Sequence, residues 1–115
     1  MLPSTIEFLK HILLEVDFLV RKTECLTYDT FVNDEVLTRA FARSLEIIGE
    51  AVKKLPDDLR IKYPFVDWKD IAGMRDVLIH NYFGVDPELV WDVVQNEIPA
   101  LKYHIGKIVE TESDH

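Results

Sequence analysis

The stretch Asn33–Leu55, NDEVLTRAFARSLEIIGEAVKKL, decides the fold class of this 115-residue chain. Asn33 is expected to cap a helix here, because Asp34 and Glu35 then lie at its positive end. Gly49 stands in mid-helix, where glycine costs about 1 kcal/mol relative to alanine, so we expect a neighbouring backbone to approach it closely. The apolar residues return every three or four positions, which places them on one helical face: Val36, Leu37, Ala40, Phe41, Leu45, Ile48, Ala51, Val52 and Leu55.

The same helical spacing appears on both sides of this stretch. It predicts a first helix from Ser4 to about Leu26, followed by a loop over Thr27–Asn33, and a further helix from Asp67 to about Asn81. Between the Asn33–Leu55 stretch and the helix starting at Asp67, residues 56 to 64 leave room for one irregular helical turn only. On the first helix, a second apolar face indicates either deep burial or contact with another subunit. This second face consists of His11, Leu14 and Phe18.

A last helix is predicted to open at Asp86 and Pro87, after Gly84 has ended the preceding one. Pro99 removes a backbone donor, so this helix should kink or restart there. No segment reads as a strand. The sequence therefore predicts an all-α, up-and-down four-helix bundle with a short extra helical turn, formed by residues 1–110 as one domain, with a flexible acidic tail over residues 111–115.

Charge and cysteine content narrow the function. The formal net charge of -8 repels phosphate backbones at long range, so a nucleic-acid role needs a local patch. The clearest basic cluster is Lys53, Lys54, Arg60 and Lys62. Cys25 is the single cysteine, which excludes an internal disulfide and a cysteine-based zinc site. Three acids and one lysine interrupt the apolar N-terminal stretch, so we expect a cytoplasmic protein with no membrane span. We also expect no cofactor and no metal site, because the acids of the last helix cover its exposed side and no histidine joins them.

Strong polar side chains crowd one helix end, in the segment RDVLIHNYFG of residues 75–84. His80 could accept the proton of a ribose 2′-hydroxyl or protonate the leaving 5′-oxygen, while the guanidinium of Arg75 could stabilise negative charge on phosphorus. Asp76 lies four residues before His80 and could orient its ring. These groups suit RNA cleavage without metal, leaving a 2′,3′-cyclic phosphate.

Arg75 and His80 cannot both point the same way from one regular helix. Five positions separate them by about 140° around the axis and about 7.5 Å along it. The helix could loosen before His80, the arginine side chain could bend across, or two subunits could place two such pairs at a shared cleft. The third arrangement also gives the spare apolar face of the first helix a partner and supplies a second acid-base group.

The chain resembles the HEPN domains, and most closely the HepT-like toxins of bacterial and archaeal toxin–antitoxin pairs. Their R-x4-6-H motif reads here as Arg75 and His80, and the following Asn81 and Tyr82 complete the R-x4-H-x-Y form typical of HepT. The resemblance also covers RAFARSLEIIGEA of residues 39–51, WKDIAGM of residues 68–74 and YFGVD of residues 82–86.

This resemblance implies a bundle that forms a dimer or a higher oligomer, brings both motifs into one cleft and cuts RNA as the toxin of a type VII-like pair. It also implies a partner, a minimal nucleotidyltransferase antitoxin that attaches AMP to Tyr82. The added phosphodiester would occupy the place of an RNA phosphate. Alternatively, Tyr82 is a half-buried aromatic residue whose hydroxyl merely finds a hydrogen-bond partner.

Four polar residues are secondary candidates for the cleft: Asn81, Arg39, Arg43 and Glu50. Three of them lie with Glu46 on the helix of residues 33–55, where a salt-bridged surface is the simpler interpretation. The main alternative function is a non-catalytic HEPN subunit that binds a nucleotidyltransferase, which suits the negative charge better. A third alternative, a bundle that binds a small nucleotide, lacks any phosphate-cradling motif.

Overall fold

The computed structural model describes residues 3–78 and 85–113, and within them every regular element is a helix. The all-α prediction is therefore confirmed for this part of the chain. None of the helices found there is long and apolar enough to cross a membrane. In chain order they are α1 (Pro3–Thr23), α2 (Tyr28–Val32), α3 (Glu35–Lys53), α4 (Asp57–Lys62), α5 (Trp68–Ala72), α6 (Met74–Leu78), α7 (Pro87–Asn96) and α8 (Ile98–Ser113).

The start of α3 differs from the prediction by one residue. Asp34, not Asn33, is the N-cap, and its carboxylate accepts the backbone N–H of Leu37 at 3.0 Å. Asn33 instead ends α2, where its side-chain amide donates to the carbonyl of Asp29 at 2.8 Å. The predicted loop thus contains a helical turn, which Thr27 caps by accepting the N–H of Thr30. Local side-chain hydrogen bonds at both ends stabilise this turn.

The helix predicted over Asp67–Asn81 is divided at Gly73. Asp67 caps its first part, α5, and the N–H of Gly73 bonds to the carbonyl of Lys69 at 3.0 Å. The second part, α6, then begins at Met74. Glycine loses more backbone entropy than other residues when it is ordered in a helix, which favours a break at this position. The last predicted residues of this helix, and Gly84 as its cap, lie outside the described residues.

Both predictions for the last helical segment are confirmed. Asp86 caps α7 by accepting the N–H of Leu89 at 3.2 Å, and Pro87 occupies the first helical turn. The chain restarts at α8, with Pro99 in the first turn, where a missing backbone donor costs least. Helix α8 includes residues 111–113, which the sequence predicts to be part of a flexible acidic tail.

The core lies between α1, α3 and α8, because α1 packs against both of the other long helices. Helix α7 packs on α8, and the rings of Phe31, Phe41 and Trp91 join α2, α3 and α7. On the second face of α1, Phe18 packs edge-on against Phe41, but Leu14 is 68% exposed. Leu14 is therefore not buried within the single chain. The up-and-down bundle order and the dimer stay predictions.

Candidate active site

Helix α6 places the backbone of Arg75 on the side of α3. Met74 and Leu78, at the two ends of α6, are buried in the core and hold the helix there. Asp76, between them, is exposed, so its carboxylate is accessible from solvent. The side chain of Arg75 lies outside the described part of the structure, as do His80, Asn81 and Tyr82. Their predicted arrangement therefore stays a prediction.

Gly49 determines how closely this region approaches α3. A Cβ atom at this position would lie 3.0 Å from the carbonyl oxygen of Ile71 and 3.5 Å from that of Ala72. The backbone of α5 thus runs directly over Gly49, and the predicted close approach is confirmed. Because α6 follows α5 after a single residue, this crossing also sets the position of the Arg75 backbone.

The secondary candidates on α3 take part in ion pairs. Arg39 bonds to Glu35 at 2.7 Å, and the guanidinium of Arg43 lies 3.3 Å from Glu46 and 3.7 Å from Glu50. The salt-bridged interpretation is therefore confirmed for these arginines. Glu46, the least exposed member at 16%, precedes Gly49 by three residues and shares its side of the helix. The assignment of Arg43 and Glu50 to a cleft stays a prediction.

The predicted basic cluster is partly used within the fold. Arg60 donates to the carbonyls of Lys53 and Leu55, and so satisfies acceptors at the C-terminal end of α3. Lys62 bonds to Glu112 at 2.7 Å. Lys54 lies 5.7 Å from the ring centre of Phe8. Attraction of RNA to this surface is weakened at Lys62, whose positive charge is paired with the carboxylate of Glu112.

Glu112 is a residue whose role the sequence did not reveal. Its carboxylate is buried at the end of α8 and accepts hydrogen bonds of 2.7 Å from both Lys62 and the hydroxyl of Tyr63. The Lys62 bond, followed by that of Tyr63, lowers the pKa of Glu112. Burial, together with the bond to Glu112, raises the pKa of the Tyr63 hydroxyl. The network joins α4 to the far end of the chain.

No group of three His, Cys, Asp or Glu side chains within residues 3–78 and 85–113 is arranged to hold a metal ion. One motif residue, Arg75, is placed by its backbone on α6, a helix that packs against α3.

Comparison with models of known protein families shows which family this sequence matches. The family model described as HepT-like, Ribonuclease HepT-like, matches residues 9–108, which include the whole Arg75–Tyr82 string. The chain belongs to the HepT-like ribonuclease family. The resemblance inferred from the motif is thereby confirmed.

Individual relatives of this HepT-like protein agree with the assignment. A protein of Caldanaerobacter subterraneus subsp. tengcongensis, provisionally named an RNase, is 51% identical over 105 residues, which cover 91% of this chain and 94% of that protein. A protein of Methanocaldococcus jannaschii with the same provisional name is 47% identical over 103 residues, covering 90% and 89%. A probable ribonuclease HepT of Thermococcus cleftensis is 37% identical over 102 residues, covering 89% and 93%. No solved structure matches this one significantly.

Proposed function

We propose that this HepT-like protein is a metal-independent endoribonuclease and the toxin of a type VII-like toxin–antitoxin pair. The observation that carries the proposal is the family match over residues 9–108, within which the Arg75–His80 motif and Tyr82 lie. The relatives named as RNases support the same activity.

The chemistry follows from the residue types in the motif. His80 accepts the proton of the ribose 2′-hydroxyl, whose oxygen attacks the adjacent phosphorus. Arg75 stabilises the negative charge that develops on the phosphate oxygens. The bond from phosphorus to the 5′-oxygen then breaks, and that oxygen takes a proton from a general acid. The products are a 2′,3′-cyclic phosphate and a free 5′-hydroxyl, and Asp76 orients the imidazole.

A dimer supplies the second acid-base group, because each chain contributes one His80 to a shared cleft. The exposed Leu14 on the outer face of α1 supports association, since a large apolar side chain in that position gains from being covered. In such a cleft one imidazole acts as base while the partner subunit supplies the acid.

Regulation acts on the same cleft. A minimal nucleotidyltransferase antitoxin attaches AMP to Tyr82, two residues after His80. The phosphodiester adds a negative charge beside Arg75 and competes with an RNA phosphate for its guanidinium. The modified protein is therefore expected to be inactive until the AMP is removed.

The decisive experiment is a cleavage assay on total RNA with EDTA present, using purified protein that mass spectrometry shows to carry an unmodified Tyr82. Wild type should leave cyclic-phosphate ends, while Arg75→Ala and His80→Ala should reduce the cleavage rate by at least about 10²-fold. Arg21→Ala and His115→Ala remove the same side-chain types elsewhere and should cleave as wild type does. Undiminished cleavage by His80→Ala would refute the mechanism.

A non-catalytic HEPN subunit is the second candidate function. The net charge of -8, together with the structural use of Arg60 and Lys62, favours a protein-binding role over an RNA-binding one. Under this alternative, unmodified wild type leaves RNA intact and still forms a stable complex with the nucleotidyltransferase.

A further inference from the structure

A groove of about 440 Å³ lies between α5–α6 and the junction of α7 with α8, and nothing in the proposed mechanism uses it. Its floor is apolar, since Met74, Ile98 and Leu101 belong to the buried core. Val93 and Ile71 continue the apolar surface to the sides. The volume falls within the range of about 300–1,000 Å³ typical of ligand sites, and far exceeds the space of about 30 Å³ that one water occupies.

Three carboxylates line the rim of this groove: Asp67, Asp70 and Glu97. Each belongs to an exposed residue. The pKa of Asp70 is raised, first by its hydrogen bond with Asp67 and then by the negative charge of Asp67. Glu97 adds to this effect and Lys69 opposes it. Within the described residues, no ion pair joins any of the three carboxylates to a lysine or arginine.

Two aromatic rings also line the groove. The ring of Phe65, which is 58% exposed, lies 4.8 Å from the ring of His104, at an interplanar angle of 53°. Phe65 is bulky and apolar, and its exposure leaves ring surface available to a further apolar group. The groove therefore presents an apolar floor and an exposed aromatic ring together with a negatively charged rim.

This combination selects one kind of occupant. Nucleic acid is disfavoured, because its phosphates would meet three carboxylates. A purely apolar occupant would leave the rim charges without a partner, and a small cation would leave the floor uncovered. A side-chain pair that offers both a positive charge and a hydrocarbon surface satisfies the rim and the floor together.

We propose that this groove docks a protein partner, through a short segment in which a lysine or arginine lies beside an aliphatic side chain. The aliphatic group covers Ile98 and Leu101, while the cation lies among Asp67, Asp70 and Glu97. This binding does not depend on RNA cleavage, so the two proposals can fail separately.

The test uses two blocked tetrapeptides as probes, acetyl-Leu-Arg-Leu-Lys-amide and its uncharged analogue acetyl-Leu-Gln-Leu-Gln-amide, titrated into the full chain and followed by amide chemical shifts. The basic peptide should shift the signals of Ile71, Leu101 and His104, while the uncharged one should bind more weakly. Asp70→Asn and Glu97→Gln should each weaken the basic peptide about two- to fivefold, the range of one exposed ion pair. Glu110→Gln removes the same charge from the outer face of α8 and should not alter its binding.

Four results would overturn the proposal. The first is that the groove signals do not move when the basic peptide is added. The second is that they move equally with the uncharged peptide. The third is that spermidine binds as tightly as the basic peptide and causes the same shifts, in which case the site takes a small cation. Finally, light scattering shows that Glu97→Gln, unlike Glu110→Gln, changes the oligomeric state, in which case a second copy of the chain covers the groove.

Discussion

At Gly49, a missing side chain allows two helices to meet. A Cβ atom added to Gly49 would lie 3.0 Å from the carbonyl oxygen of Ile71, so a larger residue requires the backbone there to shift by a few tenths of an ångström. Gly106 is the matched case, because no atom of the described residues, apart from the adjoining backbone of its own helix, lies within 4 Å of a Cβ placed there. The two glycines therefore separate close packing from helix propensity.

Replacing Gly49 by alanine should lower the free energy of unfolding by about 1–3 kcal/mol, because overpacking outweighs the gain in helix propensity. Gly106→Ala should instead raise it by about 0.5–1 kcal/mol. Urea unfolding followed by circular dichroism measures both. Equal stabilisation by the two substitutions would contradict the proposed crossing.

The Lys62–Tyr63–Glu112 network predicts a pH dependence of stability. Because folding lowers the pKa of Glu112, the folded state binds its proton less readily than the unfolded state does. The stabilisation is fully present above the ordinary glutamate pKa of about 4.3, and it is lost as the pH falls through the lowered folded-state value. Glu112→Gln should lower the free energy of unfolding at neutral pH by about 1–3 kcal/mol and should flatten its decline in acid.

The control for this prediction is Glu110→Gln on the same helix, whose carboxylate is 71% exposed and 3.9 Å from Lys107. It should keep the acid dependence of wild type. Unfolding curves measured at a series of pH values from neutral to acid, for wild type and both variants, decide the matter. If Glu112→Gln and Glu110→Gln had the same pH profile, the buried network would not contribute.

At the scale of elements, Asp34 and Asn33 belong to the ends of two different helices, although the sequence predicts Asn33 as the cap of α3. Asp34→Ala should cost about 0.5–2 kcal/mol, because it leaves the N–H of Leu37 without its side-chain acceptor and removes a negative charge from the N-terminus of α3. Asn33→Ala should cost less, since it removes a bond to the exposed end of the short α2. Thermal unfolding of both variants tests this order, and a larger loss for Asn33→Ala would contradict it.

Division of the predicted Asp67–Asn81 helix at Gly73 matters for the motif. The direction of Arg75 relative to the residues of α5 no longer follows from one continuous helix. The calculated separation of Arg75 and His80 concerns residues after the break and stays a prediction. The break also lets α5 follow the surface of α3 near Gly49 while α6 inserts Met74 and Leu78 into the core.

For the whole molecule, the proposed shared cleft predicts complementation between inactive variants. Homodimers of Arg75→Ala lack both guanidinium groups, and those of His80→Ala lack both imidazoles, whereas a mixed dimer retains one of each. Unfolding and refolding the two variants together should therefore raise RNA cleavage in EDTA above that of either homodimer. It should stay below wild type, because the mixed dimer lacks the second imidazole of the proposed acid-base pair. In the control, each single variant is refolded with chains that carry both Arg75→Ala and His80→Ala. These mixed dimers should restore no cleavage. If verified mixed dimers cleaved RNA no faster than either homodimer, an arginine and a histidine from different chains would not act in one cleft.

Local sequence was enough to predict the all-helical class, the helix starting at Asp86, the restart at Pro99 and the close approach at Gly49, because periodicity, capping and glycine costs act within a few residues. The family motif was also readable, since its residues lie within one segment. Boundaries were less accurate where adjacent residues competed, as Asn33 and Asp34 did.

Contacts between distant segments depended on the tertiary structure. Lys62 and Glu112 are 50 positions apart, and the acid-rimmed groove combines Asp67 and Asp70 with Glu97 from another helix. No local pattern records such pairs, because a helix constrains only neighbours three or four residues away. Packing of the helices brings these charges together, and so decides which acids are buried in a network and which surround an open groove.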